Sequence, residues 1–151
     1  MPSQKLKDFL DTHGIKYRFV QHSPAYTTQE VAASAHISGK DMAKTVIIKV
    51  DGAFSMAVLP AQDQVDFSML KESVGAHAVE LADEEDFRNM FPDCEVGAMP
   101  PFGSLYGIAV YVSESLPEDE EIAFNAGSHR EIIMMGYKDF ERLEKPSIVK
   151  M

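Results

Sequence analysis

Lys44-Thr45-Val46-Ile47-Ile48-Lys49-Val50-Asp51-Gly52-Ala53-Phe54-Ser55-Met56-Ala57-Val58-Leu59-Pro60 is the stretch that decides the fold. Two apolar, partly β-branched runs flank Asp51-Gly52, a pair suited to a tight turn with φ positive at both positions. The stretch therefore predicts a hairpin of strands 44–50 and 54–60. Side chains alternate between the faces of a strand. Lys44 shares a face with Val46, Ile48 and Val50, whereas Lys49 falls with Thr45 and Ile47; on the second strand Phe54, Met56 and Val58 form one face. A lysine is almost never fully buried without a partner. At the end of an apolar row, Lys44 is expected to tip into a cleft and meet something anionic or polar there. Two segments are candidates to complete that cleft: Gly97-Ala98-Met99-Pro100-Pro101-Phe102-Gly103 and Asn125-Ala126-Gly127-Ser128-His129.

Outward from the hairpin, residues 3–13 read as an amphipathic helix with Leu6, Phe9 and Leu10 inward and Gly14 as its stop. Residues 15–21 read as a strand, broken by His22-Ser23-Pro24-Ala25. Thr27-Thr28-Gln29-Glu30 has capping-box spacing and predicts a helix to about residue 35. Asp66 is placed to cap a helix carrying Met69, Leu70 and Val74, with a strand at 76–81 after it. Asp83 caps a short helix with Phe87, Met90 and Phe91, ended by Pro92. Residues 97–103 hold too much Gly and Pro for a regular element. Further strands are expected at 105–112, from 122 and at 130–135, and a last helix at 137–143. Strands in runs with short helices between them predict an α/β (α+β) domain: a mixed sheet, curled toward a barrel, with short helices around it. Regular βαβ alternation is missing, which argues against a doubly wound sheet.

A chain of 151 residues is most simply one domain, 1–151, able to bury roughly 70% of its unfolded surface. One cysteine, Cys94, excludes an internal disulfide and suits a reducing cytoplasm. Met1-Pro2-Ser3-Gln4-Lys5-Leu6-Lys7-Asp8 has no signal-peptide character, and no apolar run reaches the roughly 20 residues of a membrane span. Fourteen basic against 24 acidic residues give a net charge of −10. That argues against a broad phosphate-tracking surface of the kind that holds DNA, but not against a grip on one phosphate or one nucleotide end. Asp83-Glu84-Glu85-Asp86 and Glu118-Asp119-Glu120-Glu121 read as solvated helix starts or loops.

Taken alone, Lys44 is either a snorkelling edge lysine or a functional cation that holds a phosphate or carbonyl oxygen. The 97–103 loop is either a structural turn or a stiff frame whose amides at Gly97, Ala98, Met99 and Phe102 face a developing oxyanion. It is not a P-loop, because no Gly-Lys-Ser/Thr follows. The 125–129 segment is a hairpin tip in which His129 is a candidate proton shuttle or hydrogen-bond donor. Ser128 beside His129 does not make a serine nucleophile, since neighbours on a strand point apart and no orienting carboxylate is identifiable. His13, His22, His36 and His77 lack metal-ligand spacing, so no metal and no cofactor is expected. Cys94 and the nine methionines suit core packing.

In order and spacing these segments resemble the YbaK family, related to the editing insertion domain of bacterial prolyl-tRNA synthetase, from about Leu6 to Tyr137. The resemblance rests on His22-Ser23-Pro24-Ala25 with the Thr-Glu-Ala helix after it, Ala43-Lys44-Thr45 opening a strand, Gly97-x-x-x-Pro101, and Asn125-Ala126-Gly127-Ser128-His129. It implies a small mixed α/β barrel-like domain and a cofactor-free aminoacyl-tRNA deacylase that removes a wrong amino acid, with alanine on tRNA(Pro) the leading substrate. By the same resemblance Lys44 holds the terminal phosphate or the aminoacyl group. Gly97 and Pro101 frame the loop that positions ester and water, and His129 sits where some branches use a histidine. Thr28, Ala98, Met99, Pro100 and Ser128 are then the candidates for substrate contact. The implied partner is the aminoacyl-tRNA acceptor end; the net charge of −10 predicts weak binding by the chain alone and hence a delivering protein, prolyl-tRNA synthetase or an elongation factor. A binding module without turnover is the rival reading.

Overall fold

The computed structural model describes residues 4–21, 42–95, 97–116 and 121–151. Thr28 and the helix expected at 27–35 lie outside them. Helix α1 (Gln4–Thr12) buries Leu6 and Leu10 and leads through Gly14 into β1 (Tyr17–Gln21). The hairpin forms as its turn chemistry dictates: β2 (Ala43–Val50) and β3 (Ala53–Pro60) pair antiparallel, with φ of 50° at Asp51 and 84° at Gly52. Helix α2 (Phe67–Val74) is capped by the Asp66 carboxylate, which accepts from the Met69 amide at 3.0 Å. Then follow β4 (Val79–Leu81), α3 (Glu84–Phe87) running on as a 3₁₀ turn (Arg88–Met90), and a second 3₁₀ turn (Gly103–Leu105). Strands β5 (Ala109–Ser113), β6 (Glu121–Asn125) and β7 (Glu131–Gly136), helix α4 (Tyr137–Glu144) and β8 (Ser147–Val149) complete the order.

The architecture is mixed α+β. One sheet has the order β4-β2-β3-β5-β8, with β5 parallel to both its neighbours, and the other is the antiparallel β1-β7-β6. Leu6, Leu10, Ile47, Met56, Val58, Phe102, Phe124, Ile133 and Phe140 belong to one buried core shared by α1, α4 and both sheets. The far face of the five-stranded sheet is also covered, by Leu70 of α2 against Ile48 and Ala57 with Val46 and Val50 beside them. Burial on both faces is why β3 reads as an almost unbroken apolar run. A smaller cluster of Met42, Ala61, Ala123 and Ile132 lies where the single parallel bridge Met42–Ala123 joins the sheets.

Three expectations need correction. The sheets do not close into a barrel: each keeps its own edges, and among the described residues Met42–Ala123 is the only backbone bridge between them. The strand expected at 105–112 begins at Ala109, because the amides of Tyr106 and Ile108 both fold back onto the Gly103 carbonyl. The strand expected at 76–81 is shortened to Val79–Leu81, because the amides of His77 and Ala78 are taken by the Asp51 carboxylate at 2.9 and 2.8 Å. No helix among the described residues is long and apolar enough to cross a membrane.

Candidate active site

The 97–103 loop enters through a turn in which the Ala98 amide donates to the Glu95 carbonyl at 3.1 Å. Gly97 sits in this turn at φ 82°, a conformation L side chains rarely adopt. The loop then dives inward: Ala98, Met99, Pro100, Pro101, Phe102 and Gly103 are all buried. Phe102 anchors it, its ring centroid 5.9, 5.6 and 5.4 Å from those of Phe9, Phe124 and Phe140. Beyond it Gly103 is obligatory, because a Cβ there would stand 2.4 Å from the Ile108 carbonyl oxygen.

The histidine-bearing tip is stitched to this loop. Gly127 donates to the Ala98 carbonyl at 2.9 Å and accepts from the Glu95 amide at 2.8 Å, while the Glu95 carboxylate accepts from the His129 amide at 2.7 Å. The result is close approach: a Cβ on Gly97 would lie 3.5 Å from Cε1 and 3.9 Å from Nε2 of His129. Glycine at 97 thus lets the imidazole lie beside loop backbone. The Ser128 hydroxyl donates to the buried Glu131 carboxylate at 2.9 Å and accepts from the Arg130 amide at 3.3 Å, bonds that shape the tip itself. Of the four amides considered as oxyanion donors, that of Ala98 is used by the turn and that of Phe102 lies deep in the core. Gly97 and Met99 make no backbone hydrogen bond among the described residues.

Lys44 is half-buried opposite Leu59 in the hairpin register. Burial lowers its pKa, and Asp63 partly restores it. Two residues before it, Met42 bridges Ala123 in parallel, and two residues after Ala123 comes Asn125. Lys44 and the tip therefore set out in the same direction from one point where the sheets join. Asn125 is 4% exposed, and its side-chain oxygen has no hydrogen-bond partner among the described residues. Lys49, by contrast, is engaged by Asp86 at 2.9 Å.

Between β2, β4 and the loop opens a cleft of about 360 Å³, lined by Thr45, Ile47, Leu81, Ala82, Asp83, Glu84, Phe87, Gly97 and Met99 among others. Lys44 is not in its lining, although Thr45 and Val46, the next two residues of β2, are. Sequence reasoning brought Gly97, Met99 and His129 to one place, and missed Glu95, Asn125 and the far wall of this cleft. Asn125 stood within a recognised motif, and its hydrogen-bonding capacity at a strand end was the available signal. Nothing in the spacing of residues 81–87 tied them to a loop that follows ten residues later. Cys94 packs: its thiol lies 3.4 Å from the Tyr106 hydroxyl, and burial raises its pKa.

Comparison with known proteins bears directly on this loop and tip. The family model "Aminoacyl-tRNA editing domain" matches residues 22–143. The multifunctional Ser/Thr-tRNA deacylase ProXp-y of Escherichia coli K12 is 28% identical, over 97% of this chain and 90% of its own. A proline–tRNA ligase of Bacillus cytotoxicus is 31% identical over 88 residues, 58% of this chain and 15% of the ligase. A solved structure described as a candidate trans-editing enzyme for prolyl tRNA synthetase shares the fold, with TM-score 0.83, 18% identity, and coverage of 99% of this chain and 95% of that one. The matched span runs from His22, includes Lys44, the loop and the tip, and ends within α4. The chain belongs to the aminoacyl-tRNA editing domain family.

Proposed function

We propose that the protein removes, in trans, a small wrongly attached amino acid from tRNA(Pro), with alanine and serine as the substrates to separate. The observation that carries this reading is the join of the 97–103 loop to the 125–129 tip, which sets His129 against Gly97. An ester to ribose is already activated, so its hydrolysis calls for orientation and for stabilisation of the developing oxyanion more than for a strong nucleophile. In this reading the amides of Gly97 and Met99 face the oxyanion, and Pro100 and Pro101 keep the loop stiff. His129 orients water or substrate, a neighbouring ribose hydroxyl helps activate the water, and Lys44 holds a phosphate or carbonyl oxygen. Met99 and Pro100 contribute to the wall that admits a small side chain and excludes proline. Size is the natural sieve, since one methylene is worth only about 1–3 kcal/mol in attraction and exclusion is needed for more. Alanine follows from the histidine-bearing tip, serine from the activity named for the E. coli relative. A synthetase or elongation factor delivers the tRNA.

The test is hydrolysis of tRNA(Pro) charged with alanine, serine, cysteine or proline, with Lys44→Ala alongside. Rapid loss of one small amino acid, proline spared and the variant inactive, is the expected outcome. Full activity in Lys44→Ala removes Lys44 from the mechanism. No hydrolysis of any ester by the folded protein replaces the enzyme with a binding module.

A further inference from the structure

A second concavity, of about 460 Å³, is lined by His13, Arg142, Leu143 and Lys145 and shares no lining residue with the cleft beside Gly97. It opens where α1 and α4 end side by side, since His13 follows the last residue of α1 and Lys145 is the C-cap of α4. Each cation has a local role there. His13 donates from Nδ1 to the Phe9 carbonyl at 2.8 Å, Arg142 donates to the Asp139 carboxylate at 3.1 Å, and positive groups suit a helix C-terminus. Those roles leave donors over. Nδ1 is committed to the carbonyl, so Nε2 of His13 is left for the cavity; the guanidinium of Arg142 has five N–H groups and spends one on Asp139. The Lys145 ammonium has no side-chain partner among the described residues. We propose that this concavity binds a terminal phosphate monoester, carried by a small molecule or by the 5′ end of an RNA. The proposal does not rest on the deacylase reading.

The lining fits a phosphate monoester in three respects. A phosphate has three acceptor oxygens, and an arginine fork with a lysine point charge is the pairing that grips them. Histidine and a phosphate monoester both titrate near pH 6–7, so one proton serves the pair: neutral Nε2 accepts it from the ester's P–OH, and the imidazolium returns it to the dianion. Sulfate and a backbone phosphodiester lack that proton at neutral pH. The surrounding charge also favours an anion. Residues 4–21 and 137–145, which hold α1, β1 and α4, carry seven of the 14 lysines and arginines but only five of the 24 acids. This end of an acidic molecule is therefore locally positive and draws anions toward it. The volume exceeds what a phosphate alone would fill and is that of a small-molecule site, with Leu143 as an apolar wall for the body that carries the phosphate.

The experiment titrates inorganic phosphate, and separately sulfate, into the whole protein at constant ionic strength and pH 7, following backbone amides by heteronuclear NMR. Saturable shifts clustered at His13, Gly14, Leu143 and Lys145 are expected, with phosphate bound roughly threefold or more tighter than sulfate. Arg142→Gln and Lys145→Asn should each weaken phosphate binding about three- to fivefold, the range of an exposed charge pair, and the double variant should abolish it. Both side chains are exposed, and asparagine tolerates the left-handed backbone of Lys145, where φ is 46°, so the variants keep the fold. Two further probes separate the sources. A 5′-phosphorylated oligoribonucleotide that outbinds both a nucleoside monophosphate and the same strand without its phosphate places the monoester on an RNA end. A nucleoside monophosphate that binds as tightly as the phosphorylated strand places it on a small molecule. Absence of saturable shifts, shifts confined to other residues, equal binding of sulfate, or unchanged affinity in the variants overturns the proposal.

Discussion

Lys44 holds an ammonium partly out of water beside Asp63, and that arrangement has a consequence for pH. Burial lowers its pKa below the ordinary lysine value of about 10.4, and Asp63 works against that shift. If Lys44 acts as a cation, deacylation above the alkaline background must fall as it loses its proton, at a pH below that of a free lysine. Asp63→Asn removes the raising charge, so the falling limb should move to still lower pH; a kcat/KM profile of both proteins checks this, and an unmoved limb would detach Lys44 from catalysis. Stability runs the other way. A group with a lowered folded pKa binds fewer protons folded than unfolded, so its contribution becomes more favourable as pH rises through the window between the two values. Activity and stability thus separate in sign. At this scale strand alternation in 44–50 gave the faces correctly, with Ile47 in the main core and Val46, Ile48 and Val50 against α2. It could not say which face held the cleft, because a sheet covered on both sides makes both rows apolar.

Elements whose signals are local were legible, and elements that depend on a distant partner were not. Asp66 caps α2 and Asp51-Gly52 turns the hairpin because the chemistry lies within a few residues. Asp66→Ala should therefore cost about 1 kcal/mol of stability in urea unfolding and leave deacylation unchanged. Strand β8 was invisible in the sequence: three residues after Lys145-Pro146 find their place only by pairing with β5. The turn at Gly103–Leu105, whose last residue falls within the strand expected at 105–112, was hidden for the same reason. It is held from outside, by Lys5 donating to the Leu105 carbonyl at 3.0 Å and by Glu144 accepting from the Ser104 amide at 3.1 Å. Gly103→Ala pushes a Cβ against the Ile108 carbonyl, which belongs to backbone and cannot swing aside. We expect a loss of about 1–3 kcal/mol together with reduced kcat, since the displaced segment continues into the site loop. A variant with wild-type stability would show that β5 can shift, and would weaken the view that Phe102 and Gly103 fix the loop.

For the whole molecule, hydrophobic patterning gave a mixed α+β fold, but the division into two open sheets depends on which strand edges meet, and alternation carries no information on that. Net charge, by contrast, is fully written in the sequence and sets how such a protein meets tRNA. With 24 acidic against 14 basic residues, contact with many phosphates would be opposed by self-repulsion across the surface. The proposed contacts need few: Lys44 at one phosphate or carbonyl, near a loop whose neighbouring cleft is lined in part by Asp83 and Glu84. Each neutralised phosphate of a single-stranded end contributes a salt slope of about −0.7 in log K against log salt. Binding through one or two therefore predicts a slope no steeper than roughly −1.5, and weak affinity for the isolated protein. Adding the delivering partner should tighten binding and steepen the slope, because the partner brings the phosphate contacts. Fluorescence anisotropy of labelled tRNA over a salt series, with and without prolyl-tRNA synthetase or elongation factor, measures both. Tight binding by the protein alone with a steep slope would mean that basic residues gather into a surface which the overall charge conceals, and delivery by a partner would then be unnecessary.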